Sequence, residues 1–129
     1  MPQLLAAIDL GTNTARLLIG RCLPGGTVQP AHISRRITRL GGGFTREAGI
    51  SAEAWARTLA ALHEFSVEMK RHNVQRMRAV ATSAVRDAVN GPDFCSEVLK
   101  STGIVLDVID GDEEGHLTLR GVLAGIDER

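Results

Sequence analysis

Ala6-Ala7-Ile8-Asp9-Leu10-Gly11-Thr12-Asn13-Thr14-Ala15-Arg16-Leu17-Leu18-Ile19 decides the fold. An apolar run meets a carboxylate, a glycine and three hydroxyl or amide residues, and a second apolar run follows. That pattern predicts two neighbouring strands joined by a tight polar turn. The turn chemistry suits an anion. Gly11 has no Cβ, so its backbone admits a ligand closely. Successive backbone N–H groups in such a turn can form an anion-binding concavity. Asp9 sits at the mouth, where its carboxylate can hold a hydrated divalent cation against a phosphate. The plainer alternative is a hairpin in which Asp9 and Asn13 only satisfy turn hydrogen bonds. Later segments favour the functional reading.

The chain of 129 residues has the length of about one domain, and its 43% hydrophobic content suffices for a core. Lys plus Arg and Asp plus Glu are 15 each, so the net charge is zero. A general nucleic-acid binder would be basic, and one Trp, three Phe and no Tyr leave little to stack on bases. Cys22 and Cys95 lack metal-ligand spacing and read as reduced, semi-buried packing residues. The N-terminus shows no secretory pattern, and no apolar run has membrane-spanning length. A cytoplasmic protein without membrane or nucleic-acid partners is expected.

Outward from the opening stretch, residues 4–9, 16–23 and 27–38 read as three strands of an antiparallel meander, with Pro24-Gly25-Gly26 as a turn. Gly41-Gly42-Gly43 begins a flexible loop running to Gly49. Ser51 is a good N-cap for a long helix, and Glu53 suits its first turn. Trp55, Leu59, Leu62, Phe65 and Met69 form its apolar stripe, and Asn73 supplies a left-handed end. Residues 77–82 read as a strand, and Ser83 starts a short helix. Pro92 opens another helix that ends before Gly103. Residues 104–109 form a strand, and Asp112 caps a final helix running towards Leu123. The order β-β-β-α-β-α-α-β-α predicts an α/β fold with a mixed five-stranded sheet, its later strands parallel.

Two further segments join the first turn. Ala79-Val80-Ala81-Thr82-Ser83-Ala84-Val85-Arg86 carries a strand into a helix at a Thr-Ser pair, whose hydroxyls and amides favour anions. Arg86 can fork onto phosphate oxygens. Gly111-Asp112-Glu113-Glu114-Gly115-His116 puts adjacent carboxylates at a strand-to-helix edge, where catalytic groups of α/β folds often sit. Singly, Arg86 reads as a surface arginine, and Glu113 and Glu114 as partners of a helix dipole. Together, the three segments lie at comparable strand ends and predict a shared cleft.

On these motifs the chain resembles the N-terminal domain of the exopolyphosphatase and guanosine pentaphosphate phosphohydrolase family, part of the superfamily of actin, sugar kinases and heat-shock-chaperone ATPases. The matching stretches are Ile8 to Ile19, Thr38 to Gly43, the helix from Ser51, Arg78 to Asn90 and Ile104 to Val122. The resemblance implies an actin-like (ribonuclease H-like) domain over residues 1–129, a fragment lacking the family's second domain and its Asp-Gly-Gly-Gly phosphate loop. It implies a first phosphate loop of Gly11, Thr12, Asn13 and Thr14, with Asp9 holding Mg²⁺. Arg86 would bind substrate phosphates, and Glu114 rather than Glu113 would activate water. The substrate would be polyphosphate or guanosine pentaphosphate, the alarmone of the stringent response, and the full-length protein a homodimer. The chain departs from the family at Thr12 and Thr14, where Ser is usual, at Ala15, where an aromatic residue is common, and at Gly115-His116 in place of Ala-Arg.

The expected chemistry is hydrolysis of a terminal phosphoanhydride, with Mg²⁺ and backbone amides offsetting charge and Glu114 orienting water. Without its second domain the chain should be inactive alone. A kinase-like or actin-like ATP-binding domain and a non-catalytic alarmone sensor are the alternatives. Orthophosphate release without an acceptor separates the phosphatase from the first, and binding without turnover marks the second.

Overall fold

Apolar runs punctuated by turn residues become the strands of one mixed sheet. The computed structural model describes residues 3–43, 45, 47–116 and 118–127, excepting the side chains of Glu114, His116 and Asp127. The elements are β1 (Leu5–Leu10), β2 (Thr14–Cys22), β3 (Val28–Ile37), α1 (Ala52–Arg71), β4 (Arg76–Ala81), α2 (Ser83–Arg86), α3 (Gly91–Thr102), β5 (Leu106–Val108), α4 (Gly111–His116) and α5 (Leu119–Asp127). The strand order is β3-β2-β1-β4-β5. β1, β2 and β3 form the antiparallel meander, and β4 and β5 run parallel to β1.

β1 is central and buried on both faces, which its small residues Ala6 and Ala7 permit. One face meets α1 and α3 through Ala6, Ile8, Leu17, Leu62, Phe65, Phe94 and Val98. Each buried aromatic ring there contributes roughly 1.5–3 kcal/mol. The other face meets α5 through Leu5, Ala7, Leu18, Val80, Val122, Leu123 and Ile126. Among the described residues no helix is long and apolar enough to cross a membrane.

Ser51 caps α1, its hydroxyl accepting from the Ala54 amide at 3.2 Å. Asn73 takes the left-handed conformation, with φ 56°. Gly103 does the same at the end of α3, with φ 78°. The buried stripe of α1 is rotated from the expected one. Ala54, Thr58, Ala61, Leu62, Phe65, Ser66 and Met69 are buried, while Trp55 and Leu59 are half-buried on the flank. Trp55 packs edge-on against Phe94, ring centroids 5.1 Å apart.

The structure corrects several boundaries. β2 begins at Thr14, paired with Ile37, so Thr14 is a strand residue and not part of the turn. β5 spans three residues, because only Ala79 to Ala81 of β4 face it. The expected last helix is two helices. Asp110, not Asp112, supplies the cap of α4, accepting from the Glu113 amide at 2.8 Å. Thr118 caps α5 through the Gly121 amide at 2.9 Å.

Candidate active site

Register brings the candidate segments to one edge. Leu10 pairs with Ala81, and Ala81 with Val108, so the carboxyl ends of β1, β4 and β5 form a row. The antiparallel β2 starts at the same edge, and β3 ends there, Thr14 facing Ile37. The loops after β1, β3, β4 and β5 therefore converge. In open α/β sheets this is the edge at which ligands bind.

A depression of about 260 Å³ opens there, lined by Asp9, Gly11, Thr12, Asn13, Thr14 and Arg16. Asp9 is half-buried, and its Oδ1 is shielded from solvent. The Gly11 amide is engaged within the turn, donating to the Thr14 carbonyl at 3.0 Å. Among the described residues, the amides of Thr12 and Asn13 donate to no backbone carbonyl. Gly11 is not at a positive φ, and a Cβ there would meet only the Thr14 carbonyl, at 3.4 Å. Folding alone thus places little demand on that glycine, and close approach of a ligand remains a reason for it.

The first loop touches the second segment directly. Thr12 Oγ1 lies 3.2 Å from Ser83 Oγ. Beside that contact is a smaller depression of about 160 Å³, lined by Thr12, Gly41, Ser83, Ala84 and Asp87. Thr82 does not present its hydroxyl to this space. It is 4% exposed, and its amide and hydroxyl both donate to the Leu10 carbonyl, at 3.1 and 3.3 Å. α2 is a single turn, so its dipole is small and Ser83 is the hydroxyl left at the edge.

Arg86, the last residue of α2, ties the second segment to the third. Its Nη1 donates to the Ile109 carbonyl at 3.0 Å, and its Nε lies 3.4 Å from Asp87 Oδ1. Part of the guanidinium is thus engaged in holding β5's exit against β4's. Glu113 is exposed on α4. Glu114 lies on α4 too, but its side chain, like that of His116, is outside those described.

Three residues of this region carried no functional reading in the sequence. The Gly41 amide donates to the Thr12 carbonyl at 3.0 Å, and a Cβ on Gly41 would sit 2.6 Å from Thr12 Cγ2. What looked like a flexible triple-glycine loop is a turn packed on the first loop. Arg57 of α1 donates to the carbonyls of Thr38 and Arg39. Arg16 lines the larger depression beside Asp9, its cross-strand partner. Only the glycine run offered a signal, since glycine often marks a close backbone approach.

With this geometry in hand, comparison with known proteins decides the family. The sequence description of the Ppx/GppA phosphatase family matches residues 21–129. The chain belongs to the Ppx/GppA phosphatase family. It is similar to exopolyphosphatase 2 of Mycobacterium tuberculosis, 40% identical over 126 residues that span 92% of this chain and 40% of the relative. It thus spans about two fifths of the length of that curated relative. Among solved structures, an exopolyphosphatase from Cytophaga hutchinsonii superposes with a TM-score of 0.84 at 34% identity, over 93% of this chain and 38% of that one. The Ppx/GppA phosphatase of Aquifex aeolicus does so at 0.80 and 31%, over 88% and 37%. The actin-like fold and the mixed five-stranded sheet of this phosphatase-family domain agree with both neighbours.

The donor set fits Mg²⁺. Asp9 contributes one carboxylate beside the hydroxyls of Thr12 and Thr14. No group of three or more His, Cys, Asp or Glu ligands gathers among the described residues. Mg²⁺ commonly keeps several waters and binds through one or two carboxylates plus substrate phosphates.

Proposed function

We propose that this domain forms one wall of a site that hydrolyses the terminal phosphoanhydride of inorganic polyphosphate, guanosine pentaphosphate or both. The observation that carries the reading is the depression beside Asp9, lined by Thr12 and Asn13, whose amides donate to no backbone carbonyl among the described residues; Thr12 also meets the Ser83 hydroxyl at the adjoining smaller depression. The name of the M. tuberculosis relative favours polyphosphate. Residues 1–129 correspond on this reading to the N-terminal phosphatase domain, and turnover requires the additional length of the longer relatives.

The terminal phosphate rests against the 11–14 segment, with the Thr12 and Asn13 amides donating to its oxygens. Asp9 would hold Mg²⁺, which when bound would offset phosphate charge. Arg86 steadies the phosphates further along the chain. Glu114 accepts a proton from the attacking water, and the protein contributes positioning and electrostatics rather than covalent chemistry.

The test is side-by-side kinetics of Glu114→Gln and Glu113→Gln in the full-length protein, read as orthophosphate released from polyphosphate and from guanosine pentaphosphate. Glu114→Gln should lower kcat by roughly 10²-fold or more with KM little changed. Glu113→Gln should do much less, since neighbouring helical residues point about 100° apart. Equal, small effects would remove Glu114 from catalysis.

A further inference from the structure

The orientation of the first loop is set by a relay of backbone contacts that begins on α1. Arg57 Nε donates to the Thr38 carbonyl at 2.6 Å, and its Nη2 to the Arg39 carbonyl at 3.1 Å. Ser51 Oγ donates to the Gly42 carbonyl at 3.2 Å. The turn so held is tight, with the Gly42 amide donating to Arg39 O at 2.9 Å and Arg39 itself at φ 47°, unusual for a residue with a side chain. From this turn three amides reach the first loop. Thr38 and Arg39 donate to the Asn13 carbonyl, each at 3.0 Å, and Gly41 donates to the Thr12 carbonyl.

A trans peptide is planar, so its C=O and the following N–H point in opposite directions. Fixing the Thr12 carbonyl onto Gly41 therefore turns the Asn13 N–H away from the 38–42 turn. We propose that Arg57 is a positioning residue, which holds the 38–42 turn so that the Asn13 amide is presented to a phosphate ligand. Arg57 does not touch the ligand. Its planar fork bridges two consecutive carbonyls, which a lysine ammonium on a flexible stem does not reproduce. This inference rests on the phosphate reading of the 11–14 segment given above.

The experiment is amide NMR on this 129-residue chain, wild type, Arg57→Ala and Arg57→Lys, titrated with tripolyphosphate in Mg²⁺ well below the melting temperature. Hydrogen exchange is measured first, without ligand. In Arg57→Ala the Thr38, Arg39 and Gly41 amides should exchange faster by roughly fivefold or more, the factor expected for one lost hydrogen bond. Core amides such as those of Ile8 and Leu17 should be unchanged. Tripolyphosphate should shift the Thr12 and Asn13 amides of the wild type, and its affinity should fall roughly tenfold in Arg57→Ala, as for removal of other supporting contacts. Arg57→Lys, which keeps charge and stem, should fall in between and remains readable if the alanine variant unfolds.

Unchanged exchange at the three amides would overturn the relay. So would faster exchange with unchanged tripolyphosphate affinity, which would leave Arg57 a merely structural residue. Wild-type amides at 12 and 13 that ignore tripolyphosphate would instead overturn the phosphate reading, and with it any role for Arg57 in presenting the loop.

Discussion

Gly41→Ala tests whether the glycine turn and the first loop are one packed unit. The added Cβ would lie 2.6 Å from Thr12 Cγ2, well inside the 3.4 Å at which ordinary contact begins. Gly41 is not at a positive φ, so alanine brings no backbone strain of its own. The Thr12 side chain must then yield. Twisting it off its rotamer costs about 0.5–1.5 kcal/mol. Rotating it to another well breaks the 3.2 Å contact with Ser83, a loss of about 0.5–1.5 kcal/mol. By either route the steric cost is about 0.5–1.5 kcal/mol, or a fall of roughly 2–6 °C in Tm for a domain of this size.

Urea or thermal unfolding measures that loss, and a double-mutant cycle assigns its cause. Thr12→Ser deletes Cγ2 while keeping the hydroxyl. In that background Gly41→Ala should be neutral to within about 0.5 kcal/mol. The entropic gain from replacing glycine applies to both backgrounds and cancels. Equal destabilisation with and without the Thr12 methyl would refute the contact and return the glycine run to a loose loop.

Three other outcomes are expected. Asp9→Ala in the full-length protein should abolish Mg²⁺-dependent phosphate release while leaving Tm nearly unchanged, since the carboxylate lines the depression and not the core; a collapse of Tm along with activity would make Asp9 structural. Gly91→Ala should destabilise by about 1–3 kcal/mol, because a Cβ there collides with the Val85 carbonyl, a backbone atom with little room to retreat; an unshifted urea midpoint would contradict this. Burial pushes the Cys95 thiol above its usual value of 9.0, so the unfolded chain loses that proton first and stability should fall as pH rises through 9 and beyond; Cys95→Ala should flatten that alkaline slope, and an identical slope in the variant would exclude the thiol as its source.

Much of the fold was legible because local and tertiary preferences agree. The apolar runs of β1 and β2, the hydroxyl of Ser51, the left-handed Asn73 and Gly103, and Pro92 at the start of α3 each do in the structure what their chemistry favours alone. The misses have a common origin in contacts between distant residues. Thr118 is the exception, a local cap whose hydroxyl accepts from the Gly121 amide three residues on and splits the last helix in two. β5 is short because it pairs only with Ala79 to Ala81 of β4, a fact of register. The stripe of α1 rotates towards Ala54 and Thr58 because small residues let the helix sit close to the sheet, displacing Trp55 to the flank against Phe94. Of the site, the first loop and the common edge were legible. The grip of Arg57 on carbonyls 18 and 19 residues away was not, because carbonyls look alike in every sequence.

One residue separates the core from the candidate site. Leu10 is fully buried, and its carbonyl accepts from both the amide and the hydroxyl of Thr82, which locks the ends of β1 and β4 together. Asp9, on the other face of the same strand, reaches the depression. Because side chains alternate across a strand, a slip of one residue would turn the carboxylate towards the core beneath α1 and α3 and move the leucine to the depression. The Leu10–Thr82 lock opposes that slip at the edge where the register matters most for the ligand. Arg86 extends the same lock to β5 through the Ile109 carbonyl. On the proposed phosphate reading, the rigidity that a charged transition state would demand comes from backbone contacts behind the site, which leaves the groups in front of it open to a ligand.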